Sequence, residues 1–211
     1  MLLKLGGGAG GSIEISNAPK ITFNGRWLGW HLEFYNGILY WECWIFSSGV
    51  LTLQESYTLD AWGIGGGGAV QRADTNNGRG AAGSTNTLLN EYVDVGTVPV
   101  TVGAGANASN GDANGGSTML GSYLTCSGGQ YYFSGQTPTT NRNRFGAAEK
   151  NEHGNGGTAG DGWLPFANQK GYGSGYTAYT PGQGLGAGAV TYGTSGWVAS
   201  PGALVIRIPV E

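Results

Sequence analysis

The chain has 211 residues, of which 43 are glycine and only 11% are charged, and its formal net charge at pH 7 is −3. With 10 basic and 13 acidic side chains, it has no positive excess for nucleic acid and no polybasic segment for a membrane surface. Aromatic residues make up 11% of the chain and hydrophobic residues 39%, which excludes a disordered low-complexity protein. We therefore expect a folded protein that binds a neutral partner.

The N-terminus begins with a short apolar run, Met1 to Leu5, followed directly by three glycines. This run is too short for a secretory signal, and no later segment is long and apolar enough to cross a bilayer, so we expect no membrane insertion. Cys43 and Cys126 have no second cysteine or histidine at metal-binding spacing. The pattern predicts two buried free thiols in a protein made in a reducing cytoplasm.

Residues 1–64 show the pattern of an antiparallel β-meander. Asn24-Gly25 and Asn36-Gly37 are typical of two-residue turns that need positive φ, and strand-forming residues flank each pair. In the segment 28–34 every second residue is apolar, which predicts a half-buried strand. The next segment, 38–46, is apolar on both faces except for Glu42. Because so short a module has little interior to cover two faces, we predict that a second copy of the chain, or a larger assembly, covers one of them, and we favour a homo-oligomer.

The composition changes at Gly65 to Gly68. Five of the seven tryptophans precede this run, whereas glycine, serine, threonine, asparagine and alanine dominate after it. We therefore divide the chain into an aromatic-rich β module, 1–64, for assembly or attachment, and a glycine-rich, loop-dominated β domain, 65–211, for display. In the second part short strand candidates alternate with long turn-rich stretches, and the clearest candidate is 203–210. No window has a helical stripe with caps, so the prediction is an all-β fold.

Three motifs suggest chemistry but lack its requirements. Residues 103–108 read G-x-G-x-x-A after a strand candidate, but the turn-rich sequence that follows cannot start the helix that a dinucleotide site needs. The run Gly65 to Gly68 has no lysine after it, so it is not a phosphate loop. Asn110, Asp112 and Asn114 echo a calcium loop without its final acidic ligand. We therefore predict no cofactor and no metal.

Catalytic residue types are few. His31 is placed on the outward face of a strand and His153 in a loop, with no nucleophile in a recognisable motif beside either. A glycosidase-type carboxylate pair could come from Asp60, Glu149, Glu152 or Asp161, but solvated loop charges are the favoured interpretation. We expect that the protein is not an enzyme.

Aromatic residues in the long polar stretches carry more information. Aromatic rings stack on the apolar faces of sugars, while amides and hydroxyls match sugar hydroxyls. The alternative is that these rings pin the loops to their own scaffold. A local basic cluster could bind an acidic saccharide or phosphate, although a solvated loop also explains it. The candidate receptor-binding residues are Tyr131, Tyr132, Asn141, Arg142, Arg144, Trp163, Tyr172, Tyr176 and Tyr179.

Four segments together resemble the glycine-rich domain of bacteriophage tail fibre and adhesin proteins. They are Tyr57 to Ile64 entering the glycine run, Tyr92 to Gly105, Gly115 to Gly121, and Gly202 to Pro209, and they occur in the family's order over about residues 55 to 211. The glycine runs here are shorter than the polyglycine arrays of the most extreme members. The resemblance implies a virion tail component assembled in the host cytoplasm, often a homotrimer. Its partners would be other tail proteins and a bacterial surface polysaccharide or outer-membrane protein.

Two other functions stay open at this point. The chain could be a purely structural virion subunit whose loops bury against neighbours rather than contact a receptor. It could also be a polysaccharide depolymerase, which would require a carboxylate cluster in a groove.

Overall fold

The computed structural model describes residues 17–35, 37–72, 78–80, 83–107, 113–133, 148–149, 158–159, 185–186, 189–192 and 198–210. These residues form sixteen β-strands and no helix, so the predicted all-β fold is confirmed. Within these ranges there is accordingly no apolar helix of the length that crossing a membrane requires.

The first sheet has five antiparallel strands in the order β1-β4-β9-β10-β11. The strands are β1 (Ile21–Phe23), β4 (Gly49–Leu53), β9 (Gly96–Thr101), β10 (Thr118–Leu120) and β11 (Leu124–Cys126). In most of them buried and exposed residues alternate along the strand, as in Ile21, Thr22 and Phe23. This is the pattern of a sheet with one face in the core and the other in solvent.

The second sheet also has five antiparallel strands, in the order β2-β3-β16-β5-β8. They are β2 (Trp27–Tyr35), β3 (Ile38–Ile45), β16 (Ala203–Pro209), β5 (Tyr57–Ile64) and β8 (Thr85–Val93). The central strand β16 is buried from Ala203 to Ile208, on both faces. Its position explains its composition, because a strand flanked by β3 and β5 and covered on both faces needs apolar residues at nearly every position.

Six shorter strands form three two-stranded pairs. β7 (Gly78–Gly80) pairs with β12 (Tyr131–Phe133), and β13 (Ala148–Glu149) pairs with β14 (Thr158–Ala159), both antiparallel. β6 (Ala69–Arg72) pairs in parallel with β15 (Ala189–Tyr192).

The two five-stranded sheets pack face to face around one hydrophobic core. The first sheet contributes residues such as Leu51, Val100 and Leu120, and the second contributes Cys43 and Ile206. Each of these side chains is at most 3% exposed. The described part of the chain is thus a β-sandwich with additional short strands.

The meander predicted for residues 1–64 is only partly present. The second predicted turn does join a hairpin, because Tyr35 pairs with Ile38 and Gly37 has a φ of +81°. The prediction that Asn24-Gly25 joins neighbouring strands is wrong, since β1 pairs with β4 in the other sheet. The Oδ1 of Asn24 accepts a hydrogen bond from the backbone N–H of Val50 at 2.7 Å, which fixes this crossing between the sheets.

Both sheets cross the compositional boundary at residues 64 and 65. In the first sheet β4 pairs with β9, and in the second β16 lies between β3 and β5. The division at this point therefore describes composition, whereas the hydrogen-bonded sheets combine strands from both parts of the chain.

Beyond the sheets, extended segments rich in glycine lie side by side and bond to one another through their backbones. We call this region the glycine bundle, and it comprises residues 65–68, 83–84, 103–106, 113–116, 127–129, 185–186 and 199–202. The N–H groups of Gly65, Gly66 and Gly67 donate to the carbonyls of Ser84, Gly116 and Ser200, at 3.0, 2.9 and 2.9 Å. A strand in a sheet forms hydrogen bonds with two neighbouring strands in one plane. The N–H groups of the segment 65–67 instead donate to three different segments, in several directions.

The glycines of the bundle are required by the close approach of backbones. At Gly65, Gly83, Gly103 and Gly105, an added Cβ would lie within 3.0 Å of backbone atoms of a neighbouring segment. None of these four glycines has a positive φ. The need for glycine at these positions therefore comes from packing rather than from backbone conformation.

Candidate functional site

Two of the nine residues predicted to bind a receptor lie on a described strand. The backbones of Tyr131 and Tyr132 belong to β12, where they pair with Gly80 and Arg79 of β7. The other seven lie outside the described residues: Asn141, Arg142, Arg144, Trp163, Tyr172, Tyr176 and Tyr179. Their role in binding stays a prediction.

All nine candidates lie between two points of the sequence that are held in the glycine bundle. Before them, the N–H of Gly129 donates to the carbonyl of Gly66 at 2.7 Å. After them, the N–H of Gly186 donates to the carbonyl of Pro201 at 2.7 Å, and its carbonyl accepts from Gly83 at 2.9 Å. The segment 130–184 therefore connects two points of the chain that are both held in the bundle.

A row of charged side chains crosses the second sheet, on the face opposite the core. His31 of β2 pairs with Glu42 of β3, Glu42 pairs with Arg207 of β16, and Arg207 pairs with Asp60 of β5. Residues paired directly across antiparallel strands lie on the same face of a sheet. We call these four residues the charged row.

Arg207 lies at the centre of this row and is only 7% exposed. Its Nη2 donates to the Oδ2 of Asp60 at 3.1 Å. The guanidinium carbon is 4.1 Å from the ring centre of Tyr40, 4.6 Å from that of Trp62 and 5.5 Å from that of Tyr35. The Nε and Nη1 atoms have no hydrogen-bond acceptor among the described residues. The faces of three rings therefore stabilise this buried cation together with one carboxylate.

Asp60 fixes a bulge as well as the arginine. Its Oδ1 accepts the backbone N–H of Asn90 at 2.9 Å, where the pairing of β5 with β8 shifts register between Leu59 and Ala61. Asn90 has a φ of +54°, a backbone conformation that asparagine tolerates better than most residues. Asp60 was one of four carboxylates weighed for a glycosidase pair, and in the structure both of its oxygens have structural partners. Of the other three, only the backbone of Glu149 is described, in β13.

At the other end of the row, a buried carboxylate faces a histidine. Glu42 is 1% exposed, and its Oε1 accepts a hydrogen bond from the Nε1 of Trp44 at 2.9 Å. The Nε2 of His31 lies 3.9 Å from the same oxygen. The Nδ1 of His31 lies 3.2 Å from the carbonyl oxygen of Gly29, and because a carbonyl oxygen only accepts, Nδ1 is the donor in this contact.

One group of side chains has the composition of a metal site. The ligand atoms of His31, Glu33 and Glu42 all lie within 4.8 Å of one another. His31 and Glu33 are separated by one residue on β2, so they project from the same face, and Glu42 faces them from β3.

Sequence reasoning missed the charged row, although its signals were present. Glu42 was recognised as the one charge in an apolar run, and His31 was placed on an outward face. Arg207 is the first charged residue after Lys170, in the middle of an apolar strand. A lone charge inside a strand that is apolar on both sides indicates a buried partner. The partner itself could not be named without the register.

The outward face of β3 is covered in part by the chain itself. Trp44 packs with Trp62, Ile64, Ala203 and Val205 in a second cluster of buried residues. The prediction that another copy covers this face stays a prediction.

The two cysteines are free and buried, as the sequence predicted. Burial raises the pKa of the Cys43 thiol far above its usual range, and the neighbouring carboxylate of Glu42 adds to the effect. Burial also raises the pKa of Cys126 to about 12. Both thiols are therefore protonated and unreactive in the folded protein.

No protein-family model matches the chain, and no curated protein matches it.

Proposed function

We propose that the protein is a bacteriophage tail fibre or tail-tip subunit that binds the surface of a bacterial host. The proposal includes the homotrimer and the virion location implied by the sequence resemblance, and it assigns no catalytic activity to the chain. Host contact is assigned to the segment 130–184, which contains all nine of the residues predicted to bind a receptor.

The observation that carries the proposal is the packing of the glycine bundle. The seven segments of the bundle approach so closely that a Cβ at many of their glycines would meet backbone atoms. A bundle of this kind forms a rigid base on which intervening segments can vary without disturbing the core. Because Gly129 and Gly186 are both held in it, the segment 130–184 is anchored at each end.

The test is adsorption of the purified full chain to a panel of bacterial strains, together with protection of susceptible cells from infection. We expect adsorption to at least one strain and competition with intact phage. A triple variant, Tyr172→Ala, Tyr176→Ala and Tyr179→Ala, should lose adsorption and keep the thermal stability of the parent protein. The matched control is Tyr92→Ala, because Tyr92 is a tyrosine of β8 that is 60% exposed on the scaffold.

Two results would contradict the proposal. The first is an absence of adsorption to every strain that the phage infects. The second is equal adsorption by the triple variant and the control, which would move the contact away from the segment 130–184.

A structural subunit without receptor contact is the second candidate, and exposed apolar residues favour it. Phe34 is 70% exposed and Ile38 is 49% exposed, both at the end of the β2–β3 hairpin. Large apolar side chains in such a position are typical of a surface that contacts another protein. Labelling the chain in intact particles distinguishes the two functions, because a receptor-binding subunit has the segment 130–184 accessible at the tail tip.

A further inference from the structure

We propose that His31, Glu33 and Glu42 bind a divalent transition-metal ion of the Zn²⁺ class. This proposal goes beyond the proposed function and is independent of it, since it concerns the outer face of the second sheet and can be tested without host cells.

The first step is the placement of the three side chains by the sheet. His31 and Glu33 lie on the same face of β2, and the register of β2 with β3 brings Glu42 opposite His31. All three ligand atoms lie within 4.8 Å of one another. Two ligands of one Zn²⁺ ion, each about 2 Å from the metal, lie roughly 3 to 4 Å apart. A small movement of the exposed Glu33 side chain would complete the set.

The second step is the orientation of the imidazole, which depends on a group outside the cluster. The carbonyl oxygen of Gly29 lies 3.2 Å from Nδ1 of His31 and holds the proton there. Nε2, the ring nitrogen that would bind the metal, then lies on the side of Glu42, at 3.9 Å from its Oε1, which is too far for a hydrogen bond. Histidines that bind metals almost always donate their other N–H to a carbonyl or carboxylate in this way.

The same orientation depends on an irregularity in the strand. The pairing of β2 with β3 shifts register between Leu28 and His31, directly before the histidine. Bulges re-aim side chains and are common beside functional sites.

The third step is the support of the buried ligand. Glu42 is 1% exposed, and its Oε1 accepts a hydrogen bond from Nε1 of Trp44 at 2.9 Å. Carboxylates that bind metals are commonly oriented by hydrogen bonds of this kind.

The ligand types select the class of metal. An imidazole nitrogen together with carboxylate oxygens suits Zn²⁺ and related transition metals, whereas Ca²⁺ and Mg²⁺ prefer oxygen ligands alone. Three protein ligands leave one position of a tetrahedral ion for water or for a bound molecule. The site is open to solvent, since the His31 side chain is 34% exposed and Glu33 is exposed.

The experiment uses the full chain without a polyhistidine tag, stripped of metal with EDTA and titrated with Zn²⁺ by calorimetry. We expect saturable binding of one ion per chain and a rise in melting temperature. Co²⁺ should give the visible absorption of a low-symmetry site with nitrogen and oxygen ligands. His31→Ala and Glu33→Gln should each weaken binding by about tenfold or more, because losing a direct ligand should cost at least as much as losing the outer-shell partner of a ligand.

Two matched controls test the assignment. His153→Ala removes the other of the two histidines, and Glu91→Gln makes the same charge change on β8, at the opposite edge of the sheet. Both should bind Zn²⁺ like the parent protein. Because Glu33 is exposed, Glu33→Gln should keep the fold, and it decides the question even if His31→Ala does not fold.

The proposal is overturned if Zn²⁺ does not bind saturably, or if Glu33→Gln binds as tightly as the parent protein. It is also overturned if either control weakens binding as much as the site variants do. Tighter binding of Ca²⁺ than of Zn²⁺ would contradict the histidine ligand.

Discussion

In the two five-stranded sheets the interior consists of side chains, whereas in the glycine bundle it consists of backbone. Leu204 in β16 is fully buried and packs in the core between the sheets. Gly105 in the bundle is packed so closely that an added Cβ would meet the carbonyl of Ala199. Burial of apolar area stabilises the first region. Backbone hydrogen bonds at close approach stabilise the second, and there a side chain would be an obstacle.

The two regions are nevertheless continuous along the chain. Strand β5 ends at Ile64 and leads directly into the bundle at Gly65, and the bundle segment 199–202 leads directly into β16. A strand of the sheet cannot move far without displacing the glycine segment that follows or precedes it. We therefore expect the two regions to unfold together.

The largest expected effect is on the rate at which the two thiols react, because modification of a buried thiol requires the region around it to open. Both thiols lie in the core between the sheets, and Cys126 also lies at the border of the bundle, directly before Ser127. At pH 8 a disulfide reagent should modify either thiol about a thousandfold or more slowly in the folded protein than in urea, since reaction requires opening. Single variants Cys43→Ala and Cys126→Ala allow each rate to be measured alone.

Equal rates for the two thiols would mean that sheets and bundle open as one unit. Rapid modification of Cys126 together with slow modification of Cys43 would contradict this, because it would show the border of the bundle opening independently.

Removing a side chain from the sheets should have the next largest effect. Leu204→Ala is expected to lower the free energy of unfolding by about 2 to 5 kcal/mol, the usual cost of a large-to-small change in a tightly packed core. Urea denaturation measures the change. The control is Leu89→Ala on β8, which should change stability by less than about 0.5 kcal/mol because Leu89 is 62% exposed. A loss below 1 kcal/mol for Leu204→Ala would mean that β16 is not the centre of the core.

Much of this fold could be predicted from the sequence where the signal is local. The Asn36-Gly37 hairpin, the alternation in β2 and the apolar run of β16 each follow from residues that are neighbours in sequence. Asn24-Gly25 shows the limit of such reasoning. There the same dipeptide lies where the chain crosses from one sheet to the other, because β1 pairs with β4. The pairing of strands that are distant in sequence cannot be predicted from neighbouring residues.

The candidate site shows the same limit. The charged row depends on β16 lying between β3 and β5, so Glu42 and Arg207 become neighbours only through long-range register. Sequence could single out each charge but could not pair them. The bundle also depends on distant pairs: the run Gly65 to Gly68 marked a change of composition in the sequence, whereas the structure requires glycine in this run for close packing of separate segments.

Adding a side chain to the bundle should cost somewhat less than removing one from the core. Gly105→Ala is expected to destabilise the protein by about 1 to 3 kcal/mol, because the new Cβ meets backbone that cannot turn aside like a side chain. The control is Gly29→Ala on β2, where an added Cβ meets nothing within 4 Å. Thermal unfolding of both variants measures the difference. If Gly105→Ala is as stable as Gly29→Ala, close backbone packing is not what holds the bundle.

The smallest expected loss of stability comes from removing a hydrogen-bonded side chain at the edge of the sheets. This loss depends on pH. The Oη of Tyr57 donates to Oε1 of Glu55 at 2.6 Å and accepts the N–H of Lys20 at 2.7 Å. Burial, and then this bond to Glu55, raise the pKa of Tyr57 to about 12. At pH 7 we expect Tyr57→Phe to cost about 1 kcal/mol or less.

The pH dependence of stability should differ between a variant in the sheets and a variant in the bundle. The pKa of the Tyr57 phenol is about 12 in the folded protein and about 10 in the unfolded chain. Its contribution to the free energy of unfolding is therefore complete below pH 10. That contribution is lost as the pH rises from 10 to about 12, because the unfolded chain ionises first. Denaturation of Tyr57→Phe across this range should therefore show a shallower loss of stability than the parent protein. The bundle segments contain no titratable side chain, so Gly105→Ala should keep the parent's pH profile while lying below it at every pH. Parallel profiles for Tyr57→Phe and the parent would contradict the role of the phenol, and a changed profile for Gly105→Ala would mean that the bundle supports the titrating groups of the sheets.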